Sequence, residues 1–341
     1  MTADTFDVVG AAGPTMLFSR LTPETLSHGY LFTGPAGVGK KTFALRLAQS
    51  LLCVTPKASL LGYCGHCTGC TRVIAQTHPD LYVAEGQLKI GERESSGFHE
   101  NEEATARDIV RQLSMHSYAG GKRIFILGDA DFTREAANAL LKFFEEPPAD
   151  VVLIVTSASP GRILATIRSR LVEVTFARLT PEEVAGVLER DGIAKDEAQR
   201  AAEIGNGSVT RSKAYLNEED GATRDAAVAW FFAAVGGAEA NTGSWATRAT
   251  LEEGLETIKT LTRDWLVLQI IGRDGPLLAR DQSAALGRLP PRDPVALAKT
   301  LAAIGDAERI ARTNVTPALV GEMVRMALVP PRDASANTAR N

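Results

Sequence analysis

The sequence predicts an α/β domain built on a parallel sheet, followed by an all-helical half. Three observations predict it. Short continuous apolar runs recur at Tyr30-Leu31-Phe32-Thr33, at Arg123 to Leu127 (RIFIL) and at Val151 to Val155 (VVLIV). Runs of this kind suit strands covered on both faces. Helical stretches alternate with them, and strand, helix, strand in sequence argues for a doubly wound parallel sheet. After Ala177 no further convincing strand occurs, and the remaining amphipathic stretches predict a helical bundle.

The first run is stopped by Gly34-Pro35 and followed by a helical stretch, Thr42 to Leu52, with apolar residues at Phe43, Leu45, Leu47, Leu51 and Leu52. Glu135 to Glu145 (EAANALLKFFE) reads as a helix closed by Pro147-Pro148. Residues Gly86 to Asn101 read as an exposed loop. Thr180-Pro181-Glu182-Glu183 is a helix start, and a small helical unit is expected to run to about Tyr215. Asp225 to Ala234, Trp245 to Ile271 and Val295 to Val329 are the bundle candidates, and the polar tail from Pro330 is expected to be disordered.

Composition narrows the function classes. The 341 residues allow two or three domains. Lys plus Arg at 37 against Asp plus Glu at 41 gives a formal charge of −4, which excludes a protein held on nucleic acid mainly by bulk positive charge. No uncharged apolar run approaches the roughly 18 residues needed to span a bilayer, so no membrane role is expected. Asp4 and Asp7 stand where a signal peptide would be basic, so the expectation is a cytoplasmic chain.

Gly34-Pro35-Ala36-Gly37-Val38-Gly39-Lys40 lies between a predicted strand and a predicted helix, the context of a phosphate-binding loop. Gly34, Gly37 and Gly39 let backbone N–H groups converge on a phosphate, and Lys40 can reach the β/γ oxygens of ATP or ADP. The next position should be Ser or Thr to hold Mg²⁺. Here it is Lys41, which cannot ligate a cation. Thr42 comes one residue late, turned by about 100° around the helix. Nucleotide binding stays open; productive use of Mg²⁺ is not expected.

Cys53, Cys64, Cys67 and Cys70 are the four cysteines of the chain and form the pattern C-x10-C-x2-C-x2-C. Four soft ligands on short turns suit tetrahedral Zn²⁺, and four thiolates leave no open position, so the site reads as structural. A dithiol redox centre at Cys64-Gly65-His66-Cys67 and a pair of disulfides are the weaker alternatives. His66 reads as a bystander.

In combination, these motifs resemble the bacterial clamp-loader ATPase family. Tyr30-Leu-Phe-Thr-Gly-Pro running into the phosphate loop, the cysteine cluster and His78-Pro79-Asp80 carry the resemblance. So do Ala136-Ala-Asn-Ala-Leu-Leu-Lys142 with Glu145-Glu-Pro-Pro148, Thr166-Ile167-Arg168-Ser169-Arg170, and Asn314-Val315-Thr316-Pro317. The family implies an AAA+ module over about residues 1–177 with the zinc module at about 53–70. It further implies a helical lid over 178–215 and a helical collar over 216–329 that joins five subunits into a ring, ahead of the tail at 330–341. The implied partners are gamma/tau and delta subunits of the DNA polymerase III holoenzyme and, through the complex, the sliding clamp and primed DNA.

Departures from the motor pattern point to a non-motor member. The Ala136-Ala137 pair before Asn138 differs from that of gamma/tau motors. The strand-end Asp that supports Mg²⁺ in motors falls on Gly128, Asp129 takes the place of the usual catalytic Glu, and the sensor arginine falls on Thr210, with Arg211 next door. The resemblance therefore implies that the chain is neither a polymerase nor a working ATPase. Arg170, in Ser169-Arg170-Leu171, is implied to be an arginine finger acting on nucleotide held by a neighbouring gamma/tau subunit, with Arg168 the structural arginine. Asp129 and Asp131 could equally cap the following helix. An active gamma/tau-type ATPase is the alternative function. A zinc-based nucleic-acid module ranks last, since only Arg72 and Tyr63 lie close to the cysteines.

Overall fold

The computed structural model describes residues 6, 8–55, 59–88, 105–132, 134–238, 245–272, 275–311, 313 and 315–329. The expected tail at 330–341 and the loop residues from 89 to 101 lie outside them. The chain divides into two compact units, the first running to Glu183 and taking in Gly207–Val209, the second holding Val184–Asn206 and the residues from Thr210 onward.

The first unit is a five-stranded parallel sheet in the order β2-β3-β4-β1-β5. Its strands are β1 (Gly29–Thr33), β2 (Leu81–Leu88), β3 (Arg123–Phe132), β4 (Val151–Ser157) and β5 (Val172–Thr175). Its helices are α1 (Ala12–Ser19), α2 (Lys40–Leu51), α3 (Thr68–Ile74), α4 (Ala106–Leu113), α5 (Arg134–Glu145) and α6 (Ala165–Arg168). The three predicted strands are the central ones. Every residue of β1 and of β4 is buried.

Alternation along these strands feeds two separate cores. Tyr30, Phe32, Ile124, Ile126, Val152 and Ile154 pack with Phe18 and, from α2, Phe43 and Leu47. Leu31, Phe125, Leu127, Leu153 and Val155 point the other way, against Ile109 of α4 and Leu140 and Phe144 of α5. A sheet covered on both faces has no polar side, which is why its central strands read as unbroken apolar runs.

The two edge strands escape that signal. β2 (LYVAEGQL) carries Glu85 and Gly86, and β5 (VEVT) buries only Val174 among its residues. Gly86–Leu88, expected in a loop, therefore extend β2 alongside β3, with a register shift between Glu85 and Gln87. β3 likewise runs beyond the predicted Leu127, so the backbones of Asp129 and Asp131 belong to a strand. The expected capping by those two side chains lies outside what is described.

The second unit is helical in its described residues. α7 (Pro181–Arg190) begins in the first unit and leads in; α8 (Lys195–Gly205) and α9 (Val209–Leu216) follow. Thr180 and Glu183 close a reciprocal cap at the start of α7, with Thr180 N–H donating to Glu183 Oε2 at 2.8 Å and Glu183 N–H to Thr180 Oγ1 at 3.2 Å. α10 (Glu218–Val235), α11 (Leu251–Ile270), α12 (Ser283–Leu286), α13 (Pro294–Ala311) and α14 (Pro317–Leu328) complete the unit. The amphipathic stretch from Val295 to Val329 holds two helices: α13 ends at Ala311, and Pro317 opens α14 at its first position, where a missing N–H costs nothing. Trp245, expected at a helix start, precedes α11 and is buried against Gly254. A Cβ at Gly254 would lie 2.4 Å from Trp245 Cε3, so the glycine makes room for the ring. Phe231, Leu255, Ile258, Trp265, Leu297, Ile304 and Val320 share that core. Among the described residues no helix is long and apolar enough to cross a membrane.

Candidate functional site

The glycine loop joins β1 to α2 at the C-terminal end of a central strand, the usual place for a ligand on an open parallel sheet. Gly34, Gly37 and Gly39 adopt φ of 138°, 73° and 91°. Gly34 has a second reason to lack a side chain, since a Cβ there would lie 2.3 Å from the carbonyl oxygen of Phe176. Val209 N–H donates to Gly37 O at 2.9 Å, tying Gly207-Ser208-Val209 to the loop. Lys40 is 5% exposed, and its Nζ donates to the carbonyls of Gly34 and Pro35, both at 2.7 Å. The ammonium thus closes the loop on itself, and a phosphate would have to take it over from two backbone acceptors.

Lys41 points elsewhere. Its ammonium forms an ion pair with Glu85 of β2. Glu85 is the register partner of Gly128 in β3, and a Cβ at Gly128 would meet Glu85 Cγ at 3.1 Å and Oε1 at 3.4 Å. A side chain at position 128 would crowd Glu85, which would have to give way by a few tenths of an ångström. Thr42 is exposed on α2 and brings no hydroxyl back to this place. Lys41, Glu85 and Gly128 therefore form one set, in which a lysine occupies the sequence position that a metal-binding Ser or Thr takes in a phosphate loop.

The four cysteines come together. Cys53 follows α2, Cys64 lies on a turn made possible by Gly65 at φ 76°, Cys67 is the N-cap of α3 and Cys70 lies in its first turn. Gly69 is what lets α3 approach: a Cβ there would lie 2.1 Å from the carbonyl oxygen of Leu52. All four sulfurs lie within 4.8 Å of one another, with Cys53–Cys67 and Cys64–Cys70 both at 3.9 Å. Tetrahedral Zn–S bonds of about 2.3 Å put sulfurs about 3.8 Å apart, so the donor set fits zinc.

Backbone N–H groups of Cys67 and Cys70 donate to the sulfurs of Cys64 and Cys67, both at 3.4 Å. Burial opposes ionisation of Cys67, but the N–H groups of Cys70 and Val54 and the neighbouring thiols outweigh it and hold the thiol down at about 6. Burial, reinforced by the sulfurs of Cys67 and Cys53, pushes Cys70 up to about 12. One cluster thus holds a ready thiolate beside a thiol that ionises only with help, which a divalent cation provides. His66 Nδ1 is 2.7 Å from the carbonyl oxygen of Cys64.

Arg170 follows α6. Its Nη1 donates to Thr166 O at 2.6 Å and its Nη2 to Glu145 Oε1, also at 2.6 Å. Arg168 lies apart from it, paired with Glu173 of β5 at 3.1 Å. Thr210 and Arg211 both lie in α9, where Arg211 pairs with Glu256 of α11.

A family described as "DNA polymerase III, delta subunit" matches residues 14–180. The DNA polymerase III subunit delta' of Pseudomonas aeruginosa is 37% identical over 181 residues, which cover 48% of this chain and 51% of that one. Its counterpart in Bacillus subtilis is 30% identical over 206 residues, 60% of this chain and 58% of its own. Over its first half the chain is similar to delta-prime clamp-loader subunits. A gamma/tau subunit of Mycobacterium tuberculosis is also similar, at 30% identity over 198 residues, 56% of this chain and 32% of that one. The chain spans about half the length of the delta-prime relatives it matches.

Two residues of this chain gain their interest only from the structure. Glu85 has no motif around it. Glu145 lies within one, Glu145-Glu146-Pro147-Pro148, but nothing in the sequence connects it to Arg170, 25 residues away. For Gly69 a signal existed: a glycine inside a CxxC spacing implies close backbone approach.

Proposed function

We propose that this chain is a non-hydrolysing subunit of the DNA polymerase III clamp loader. It would complete the ring with gamma/tau and delta subunits, help place the sliding clamp on primed DNA, and supply Arg170 to nucleotide on a neighbouring gamma/tau subunit. The observation that carries this reading is the Lys41–Glu85 pair opposite Gly128, which puts a lysine where the phosphate loop of a motor has its metal-binding hydroxyl. A chain that keeps the architecture of the phosphate loop but not its metal position is suited to binding and to completing a neighbour's site rather than to turnover.

The remaining parts follow from the same reading. Cys53, Cys64, Cys67 and Cys70 would hold a structural Zn²⁺ that fastens α3 to the end of α2. Residues 1–177 would be the AAA+ module, 178–215 the lid, and 216–329 the collar. Gly34, Gly37, Gly39 and Lys40 retain the means to hold the phosphates of ATP or ADP, with Mg²⁺ unused. At Arg170, a planar guanidinium offers the fork that stabilises charge on a transferring phosphoryl group.

The deciding experiment is reconstitution. The purified chain is mixed with gamma/tau and delta subunits, and complex formation, clamp loading and ATP hydrolysis are measured with and without it. The expected result is a defined complex whose clamp- and DNA-stimulated hydrolysis requires this chain, which hydrolyses nothing alone. Steady-state turnover by the isolated chain would favour the active-ATPase alternative, and failure to enter a complex would overturn the reading.

A further inference from the structure

The tip of Arg170 is turned back onto its own subunit. Nη1 reaches the Thr166 carbonyl, with Ser169 Oγ at 3.5 Å, and Nη2 reaches Glu145. These two nitrogens are the ones a guanidinium uses for a bidentate hold on phosphate oxygens. Thr166 O lies in the short helix α6 and accepts from Ser169 Oγ as well, at 3.1 Å, so the guanidinium shares an acceptor that is already in use.

Glu145 is less naturally placed. It is the final residue of α5, with Glu146 next to it and Pro147-Pro148 ending the helix. A carboxylate at a helix C-terminus faces the negative end of the helix dipole and is disfavoured there unless a cation answers it. Lys142 stands in the last turn, and Arg170 makes the direct contact.

We infer that Glu145 is a clasp: it stows the Arg170 side chain against its own subunit and gives it up to a more highly charged anion, the terminal phosphates of a nucleotide presented by a neighbouring chain. This rests on the finger reading proposed above. The exposure of the pair supports a releasable contact. The Arg170 and Glu145 side chains are 34% and 49% exposed, so water screens the attraction, and such pairs shift an equilibrium by about fivefold at most. A polyphosphate with several charges and matching fork geometry outcompetes a single screened carboxylate. While the stowed form dominates, the apparent affinity of the finger for its target is lowered by the stowed-to-free ratio.

The test uses the full ring reconstituted with gamma/tau and delta. Hydrolysis of ATP is followed as this chain is titrated, comparing wild type, E145Q, E146Q, R170A and the E145Q/R170A double variant. E145Q keeps the shape and an acceptor oxygen but removes the charge. It is expected to reach half-maximal stimulation at a concentration lower by about two- to fivefold. E146Q, an exposed neighbour with the same charge change, should behave as wild type, and the double variant as R170A. In the isolated chain, nitrogen-15 NMR should show faster rotation of the Arg170 guanidinium in E145Q. An unchanged or raised half-maximal concentration in E145Q, with R170A still defective, would overturn the clasp. Unchanged guanidinium rotation in E145Q would overturn it as well. A ring indifferent to R170A would overturn the finger reading itself, and the clasp with it.

Discussion

Lys41 at the start of α2 is ion-paired with Glu85 of β2, and Glu85 sits in register with Gly128, whose missing side chain leaves it room. The two positions thus share one arrangement: a lysine where a phosphate loop carries a metal-binding hydroxyl, and a glycine that leaves room for the carboxylate paired with that lysine.

Reversing one half should not restore a motor. Lys41→Thr supplies a hydroxyl but leaves Gly128, and frees Glu85 without placing an aspartate. The isolated Lys41→Thr chain, like the wild type, is expected to show no turnover above background in a coupled ATPase assay. Lys40→Ala should leave clamp loading by the reconstituted ring nearly unchanged. A large loss of loading would mean that nucleotide at this loop matters to the assembly.

The cysteine cluster makes a stoichiometric prediction. Elemental analysis of the purified chain should find about one zinc per chain. Cys67→Ser should lose the metal, since it removes the ligand that holds its proton least tightly. Gly69→Ala should also lose it while leaving all four thiols intact, because its Cβ would press on the Leu52 carbonyl and move α3 away from Cys53. Metal-free wild-type protein containing two disulfides would contradict the zinc reading.

Arg170→Ala should leave folding intact, because a half-exposed charge adds little stability. Ring assembly should also survive. If Arg170 is the finger proposed above, stimulated hydrolysis at the neighbouring site is expected to fall by up to the ~10³-fold associated with arginine fingers, with a smaller drop in the whole-ring rate. Arg170→Lys should not rescue it, since an ammonium lacks the planar fork. Arg168→Ala, which frees Glu173 on β5, is the control expected to matter less.

The first unit has an acid limit set partly by one pair. Arg123, with its side chain 6% exposed, donates from Nε and Nη2 to Asp150 at 2.6 and 3.1 Å, and its other contacts are the carbonyls of Gln112 and Leu113. The hydrogen bond from Arg123 holds the Asp150 carboxyl below its ordinary value. A depressed folded-state pKa gives stability that is present above the unfolded value of about 3.9 and is lost as pH falls through the folded one. Chemical denaturation of the wild type should therefore steepen below about pH 4. Asp150→Asn should flatten that limb and cost about 1.5 kcal/mol at neutral pH, because the buried guanidinium loses its charged partner, itself one-third exposed, and keeps only neutral acceptors.

Local chemistry was legible wherever spacing alone determines it. The central strands announced themselves because both their faces are covered, so every residue of Tyr30–Phe32 or Val151–Val155 had to be apolar. The phosphate loop is local for a similar reason: three glycines within six residues admit positive φ, and Lys40 binds carbonyls five and six residues back. The cysteines were legible because turns of two residues aim neighbouring thiols at one point. The edge strands were not, since a strand covered less completely tolerates Glu85, Gly86 and Glu173.

Three relationships belong to the tertiary structure alone. Glu85 meets Lys41 only because β2 pairs with β3 in a register that sets it opposite Gly128, and no pattern in either segment specifies that register. Glu145 meets Arg170 only because the ends of α5 and α6 converge. Cys53 joins the other three because Gly69 lets α3 seat against the end of α2. Residue types and short spacings determine which chemistry the chain can offer. Which charge answers which cation is decided by packing, since a carboxylate carries no sequence signal for a partner brought to it across the sheet.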